Sequence, residues 1–382
     1  MTTAGRSPYS VEELDVPTTM HDDPARVAAF RAWLAVSDRA EAAVHGLTEL
    51  AWTADEYLPM CHTPGARSRL FVARDASGTI VGAASYDSKE EPGTTNCWLA
   101  VGVDPAHQGR GVGTLLADHV ERTAREQGRT QWKTYAVSRQ VGPASGDGYL
   151  QAPTGHGAVP ADEAGVRFLT RRGWRFGQVN RISRLALPAD AAVVAALRAR
   201  AVSAARDAYR THRWTGRTPE RWLDDVALLR TRMSTDALEG DMEEPEDVWD
   251  ADRLREQEAE LDRAPRTMVT VAVEDVASGS LVGFTQLAVP DDPGRAVMQW
   301  DTLVLREHRG HRLGWLLKVE GITFVEQAFP GHPSIVTFNA EENRPMLDVN
   351  EAVGFVGVGS EGIWEHRTEP EPTAPGGTTE PV

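Results

Sequence analysis

The residues best suited to chemistry lie between Val101 and Leu116, in VGVDPAHQGRGVGTLL. Three glycines, Gly109, Gly111 and Gly113, alternate with Arg110 and Val112 where an apolar strand gives way to an apolar helix that continues through Thr114. Such a corner points several backbone N–H groups the same way, at the positive end of the new helix, and so forms a seat for phosphate. The spacing, Gln108-x-x-Gly111-x-Gly113, is neither the dinucleotide fingerprint nor the P-loop, because no lysine follows the glycines. A second stretch repeats the pattern 201 residues later: Thr302–Leu317 carries Arg309, Gly310, His311, Arg312, Leu313, Gly314 and Trp315 at the matching positions. The offset holds without a gap upstream, and 11 of the 39 positions from Gly78 to Leu116 are identical, among them Val81-Gly82/Val282-Gly283 and Pro92-Gly93/Pro293-Gly294. A period this long means two whole domains rather than a solenoid.

The corner and its repeat resemble the acetyl-coenzyme A pyrophosphate loop of the GNAT superfamily of N-acetyltransferases, over both halves of the chain. The resemblance implies an α/β (α+β) protein with two tandem GNAT domains, residues 1–187 and 188–367, followed by a tail, 368–382, whose Pro, Gly, Thr and Glu composition reads as disordered. Each domain is expected to have its own twisted, mixed, mainly antiparallel sheet, splayed between its fourth and fifth strands and flanked by helices. The resemblance also implies that the thioester arm of acetyl-CoA, or of another acyl-CoA, lies in that splay against strand backbone at Val101 and Val103, or at Leu303 and Val304. The pyrophosphate then sits on the helix corner. An ammonium has no lone pair, so a carboxylate must take its proton before it attacks the thioester. The oxyanion that forms needs a donor, which strand N–H groups supply.

The two halves depart from the family pattern in different ways. The first has the better phosphate corner, but its fourth strand reads Trp98-Leu99-Ala100-Val101, without an acid, and Asp162 and Leu169 stand where the family has Asn and Tyr. The second has Arg312 in place of Gly111 but carries Asp301 opposite Ala100, ends its fifth strand in Asn339, and keeps the helix Asn as Asn343; Asn350 replaces the Tyr. This comparison favours the second half for catalysis, with Asp301 as base and Asn350 at the general-acid position, and leaves the first half structural or vestigial. The expected activity is transfer of an acyl group to a primary amine of a small molecule. The alternative is an acyl-CoA-binding sensor or scaffold without turnover, which the missing Tyr in both halves favours. His107 and His308, before each corner, read as loop or cap residues, and Trp300 and Trp315 as core or wall.

The elements that must position these residues follow from patterning. Tyr9–Thr18 alternates like a strand, Pro24 opens a helix through Val36, and helical character returns at Thr53–Met60. Ser68–Arg74 and Thr79–Asp87 make a hairpin, Thr95–Val103 enters the corner and Gly113–Gln127 leaves it. Gln131–Val137 is a strand, Ser138–Pro160 a long loop, Ala164–Arg172 a helix, and Trp174–Leu187 the last strands of the half. After Pro188-Ala189-Asp190 comes an Ala-rich stretch, then strand Asp207–Trp214 and helix Pro219–Met233. Ser234–Asp250 is acidic, either a solvated loop or an acceptor-binding element. Strands Met268–Glu274, Leu281–Val289 and Val297–Leu305, helix Leu313–Ala328, strand Ser334–Asn339 and helix Asn343–Ala352 complete the repeat.

Composition narrows the function. The net charge of −16 argues against nucleic acid and suits a cationic amine, although acidity also serves solubility. No apolar run approaches a membrane span, and MTTAGRSPYS lacks a signal-peptide core, so a cytoplasmic monomer or homodimer is expected. Two cysteines, Cys61 and Cys97, support neither a disulfide framework nor a zinc site, and no metal is expected.

Overall fold

The structure, a computed structural model, describes residues 7–63, 65–91, 93–139, 141–142, 145–236 and 246–368. The first half runs β1 (Ser10–Glu13), α1 (Pro24–His45), α2 (Ala54–Tyr57), β2 (Ala66–Arg74), β3 (Ile80–Lys89), β4 (Asn96–Val103), α3 (Val112–Glu126), β5 (Gln131–Ser138), a hairpin of β6 (Tyr149–Gln151) and β7 (Ala158–Pro160), α4 (Ala164–Arg171) and β8 (Arg175–Ala186). The second half runs α5 (Ala191–Ala205), β9 (Tyr209–Thr215), α6 (Leu223–Asp236), α7 (Ala251–Leu261), β10 (Arg266–Asp275), β11 (Ser280–Pro290), β12 (Val297–Val304), α8 (Leu313–Ala328), β13 (Ser334–Ala340), α9 (Arg344–Val353) and β14 (Val356–Arg367).

Local chemistry sets the boundaries. Asp23 caps α1 by accepting from the Ala25 and Arg26 N–H groups, Pro24 occupies its first turn, and Gly46, at φ 77°, ends it. The helix therefore continues nine residues beyond Val36, to His45, where the cap stands. Thr53 and Glu56 form a capping box on α2. Val112, Leu116, Val120 and Ala124 recur every four residues on α3 and are all buried, which seats that helix on β3 and β4. The repeated Val-Gly pair has a packing reason: a Cβ at Gly82 would lie 2.7 Å from the Leu116 side chain, and one at Gly283 would lie 2.9 Å from the Leu303 carbonyl. Helix α7 escaped sequence reading because it is mostly charged; only Leu254 and Glu258 are buried, behind an Asp250 cap. All but the first residue of the expected disordered tail, 369–382, and the middle of the acidic stretch, 237–245, lie outside the described residues.

The expectation of two separate sheets is corrected. The strands form one 12-stranded sheet in the order β1-β2-β3-β4-β5-β14-β8-β13-β12-β11-β10-β9. Each half has given its last strand to the other: β14 pairs antiparallel with β5 of the first half, and β8 with β13 of the second. The exchanged strands pair with each other at the centre. Their sequences suit that place, because β8 is buried at most positions on both faces, as a central strand must be. The repeat survives the join, since equivalent strands are traded about a pseudo-twofold axis. Glu49, in the loop after α1, pins the halves together: it accepts from Arg184 of β8 at 2.7 Å and from Ser334 of β13 at 2.5 Å, and its carbonyl accepts from the Ala296 N–H.

The splay between fourth and fifth strands is present in both halves. Strands β4 and β5 run parallel and pair only from Asn96↔Gln131 to Trp98↔Lys133 before parting. Strands β12 and β13 pair only at Val297↔Ile335 and Met298↔Val336.

Candidate active site

Strand β4 delivers the chain to the first corner. Asp104 accepts from the Ala106 N–H and pairs with Arg39 at 2.7 Å, which closes a single turn through His107. Gly109 and Gly111 follow at φ 72° and 87°, conformations that need glycine. Helix α3 then starts with no side chain capping it, so its first N–H groups face outward. Gln108 holds the loop by donating to the Val103 carbonyl at 3.2 Å. A Cβ at Gly113 would meet nothing nearer than 3.6 Å, so its openness comes from the corner and not from a clash it avoids.

A cavity of about 810 Å³ starts at this corner, passes along β4 and β5 where they part, and opens under α1 and α2. The fit to an acyl-CoA is good: an uncapped helix end for phosphate leads into a slot between two unpaired strand edges. Of the residues expected here, Val101, Val103, Gln108, Gly109, Gly111, Gly113 and Thr114 line the cavity. Val112 is core and Arg110 is exposed.

The chamber at the far end is acidic. Asp38 and Glu41, one turn apart on α1, meet Glu361 of β14 and Tyr135 of β5 there. The Tyr135 hydroxyl donates to Glu41 Oε1 at 2.6 Å, and the Trp52 N–H donates to Asp38 Oδ1 at 3.4 Å. Burial raises all three carboxyls, because a charge loses its hydration there. Asp38 is pushed up to about 6, mainly by burial and further by Glu41, against the Trp52 hydrogen bond. Burial raises Glu41 against the Tyr135 hydrogen bond, and burial together with Glu41 takes Glu361 to about 8. The strand exchange is what brings Glu361 into the first half's site. The second half also supplies the chamber wall at Arg266, Arg295, Met298 and Phe338.

Sequence reading missed this cluster. Asp38 and Glu41 at a spacing of three on an otherwise Ala-rich helix were a visible signal; Glu361 gave none, because nothing in the sequence announces a strand exchange.

The second corner is a partial copy. Arg309 donates to the Val304 carbonyl at 3.0 Å, as Gln108 does to Val103, and Tyr209 meets His308 at 3.1 Å as Tyr9 meets His107 at 3.4 Å. The histidines are therefore loop-holding residues. Arg312 adopts φ 59°, an uncommon left-handed conformation for a side-chain-bearing residue, and lies over the Trp315 ring. His311 rests against Tyr209, Gly310 turns at φ 87°, and Leu303 and Leu313 are core. Gly314 begins the helix with only Val349 within 4 Å of a would-be Cβ. Asn343 caps α9 by accepting from the Met346 N–H, and buried Asn350 donates to Asn339 at 2.7 Å. None of these residues, nor Val304 or Asp301, lines the large cavity.

Asp301, the expected base, lies on β12 outside the residues that line the cavity. Its carboxylate pairs with Arg230 at 3.0 Å, and Arg230 in turn lies over Trp249. The repeat comparison weighed only the strand acids, whereas the acids that meet a cavity come from α1 and β14. Among the described residues no group of His, Cys, Asp and Glu could hold a metal ion, and no helix is long and apolar enough to cross a membrane.

Comparison with known proteins agrees with the fold. Residues 30–138, from α1 through β5, match the acetyltransferase (GNAT) family. Among solved structures, the chain is similar to a tandem GNAT protein from the clavulanic acid biosynthesis pathway, solved without AcCoA, with TM-score 0.71 and 23% identity over 95% of this chain and 100% of that one. It is also similar to a GCN5-related N-acetyltransferase from Sphaerobacter thermophilus, with TM-score 0.60 and 12% identity over 95% and 96% of the two chains. A third similarity is to Saccharomyces cerevisiae N-myristoyltransferase with bound myristoyl-CoA, with TM-score 0.52 and 10% identity over 96% and 84%. No curated protein matches the chain.

Proposed function

The chain has the fold of a tandem GNAT protein, and on that premise we propose that it is an acyl-CoA-dependent N-acyltransferase whose chemistry takes place in the first half. The observation that carries the reading is one cavity joining the uncapped, glycine-lined start of α3 to three half-buried carboxyls through the parted strands β4 and β5. The pyrophosphate of acetyl-CoA, or of another acyl-CoA, lies against the N–H groups at Gly111–Thr114, and the thioester arm lies along β4.

In this reading Glu41 is the base, because Tyr135 fixes its carboxylate beside the gap where the thioester would lie. Glu41 takes one proton from the acceptor ammonium, directly or through a water, and the freed lone pair attacks the thioester carbon. A C–N bond forms, and the carbonyl oxygen becomes an oxyanion that β4 backbone N–H groups can stabilise. The intermediate collapses with loss of the second nitrogen proton and cleavage of the C–S bond. One of the two protons ends on the CoA thiol and the other reaches solvent. Glu361, raised by burial to about 8, stays protonated at neutral pH and so does not compete for charge with Glu41.

The test is CoA release from acetyl-CoA with a panel of primary amines. Glu41→Gln should lower kcat by about 10²–10⁴-fold while leaving CoA affinity unchanged. Parental turnover in Glu41→Gln, with loss instead in Asp301→Asn, would move the chemistry to the second half.

A further inference from the structure

The chamber holds more charge than the reaction needs, and the charge is separated. Two of its acids already have partners: Glu49 pairs with Arg184, and Glu56 pairs with Arg295. Asp38, Glu41 and Glu361 form no ion pair among the described residues. Across the chamber stands the opposite imbalance. Arg266, at the start of β10, has a side chain only 5% exposed, and its Nε has no hydrogen-bond partner. Its nearest carboxylate is Glu56 at 3.9 Å, already held by Arg295, so two guanidinium groups share one acid. Burial lowers the Arg266 pKa, the mark of a cation short of compensation.

Trp52 joins the two regions. Its N–H donates to Asp38, and its ring lies 4.8 Å beneath the Arg266 guanidinium, which fixes that group's plane. The acids without an ion pair and the arginine that must share one line the same cavity, with Trp52 touching both.

We propose that the acceptor is a zwitterion of the amino-acid class, with its ammonium against the carboxylates of Asp38 and Glu41 and its carboxylate on Arg266. The proposal rests on the acyltransfer reading above and names the substrate class of that site. An uncompensated buried charge is costly, and an Arg–carboxylate pair can be bidentate, so a ligand bearing both charges relieves both ends at once. A simple amine or a diamine would satisfy the acids and leave Arg266 as it is. The reaction also favours release: the amide product keeps its carboxylate but has lost the ammonium that Asp38 and Glu41 hold. In this arrangement the second half is the part of the chain that selects the acceptor, because Arg266 belongs to it.

Binding to the full-length protein saturated with CoA, rather than acetyl-CoA, tests the proposal without turnover. Calorimetric titrations would compare glycine, alanine, leucine and phenylalanine with methylamine, ethylamine, isopentylamine and phenethylamine, and with putrescine. At least one amino acid should bind tenfold or more tightly than its decarboxylated partner. Arg266→Gln should remove that preference and leave amine binding within twofold, and Arg266→Lys should restore part of it. The parent's own preference needs no variant, so a poorly folded Arg266→Gln does not block the test. Tighter binding of the amines or of putrescine, no binding of any amino acid, or equal weakening of both classes in Arg266→Gln would overturn the proposal. The CoA-loaded experiment is blind to the base, so a failure here is separable from parental turnover in Glu41→Gln, which would sink the acyltransfer reading of the first half.

Discussion

At the first corner, the position of α3 that faces the parted strands is Ala117; at the second, the equivalent position of α8 is Lys318. Ala117 lines the cavity together with Leu169 and Trp174. In the second half those three places are taken by Lys318, Asn350 and Phe355: the Lys318 ammonium lies 5.5 Å over the Phe355 ring, and buried Asn350 is tied to Asn339. Lys318 is almost wholly buried. The same backbone plan thus yields an open slot where the filling residue is small, and a polar plug where it is long. The chain carries the corner twice, and at one helix position beside it the two halves differ most in side-chain volume, Ala117 against Lys318.

The comparison is tested most severely at the corners themselves. Gly113→Asp and Gly314→Asp each place a carboxylate at a helix N-terminus, with room for the new Cβ in both, so both variants should fold. Calorimetry should find one CoA site in the parent, none in Gly113→Asp, and one still in Gly314→Asp. Two sites in the parent, with one lost in each variant, would make the halves equivalent and remove the distinction drawn from Lys318.

A smaller effect concerns the plug. Burial lowers Lys318 from 10.5 to about 7. Its folded pKa lies below its unfolded one, so between about 7 and 10.5 the unfolded chain binds more protons, and stability rises with pH across that window. Lys318→Met keeps the volume and removes the titration. It should raise the melting temperature at pH 7 by roughly 2–8 °C, the shift expected for ~1–2 kcal/mol, and gain progressively less toward pH 10. An equal gain at both pH values would mean that packing, not charge burial, sets the difference.

How much of this was legible in the sequence depended on whether the information was local. The corners and the repeat rest on glycine placement and periodicity, the splay was expected from the family those corners resemble, and Gln131–Val137 or Leu313–Ala328 fell within a residue or so of β5 and α8. The strand exchange was invisible, because Trp174–Leu187 has the same alternation whichever sheet it joins. The acids that meet in the cavity were hidden for the same reason. Asp301 stood out because it lies next to a motif, whereas Glu41 and Glu361 are 320 positions apart and meet only through β14 and β5. Lys318 carries no sequence signal of its burial, which depends on contacts with the chain after α9.

The smallest expected effect is at Asp301, the residue that sequence comparison placed at the centre of catalysis. Its carboxylate is about a quarter exposed and faces Arg230, whose own side chain is 10% exposed and whose Nε has no partner. Asp301→Asn removes the charge but keeps an oxygen that can accept from Arg230. Breaking a partly buried pair in this way leaves Arg230 less compensated, so a stability loss of about 1–3 kcal/mol is expected. The cavity does not reach this residue, so kcat and KM should both stay within twofold of the parent once the protein is assayed well below its melting temperature. Arg230→Met with Asp301→Leu should recover most of the lost stability, because both charges then leave together. A kcat loss of a hundredfold or more in a stably folded Asp301→Asn would restore the second half as the catalyst and reduce the first-half cavity to a binding site.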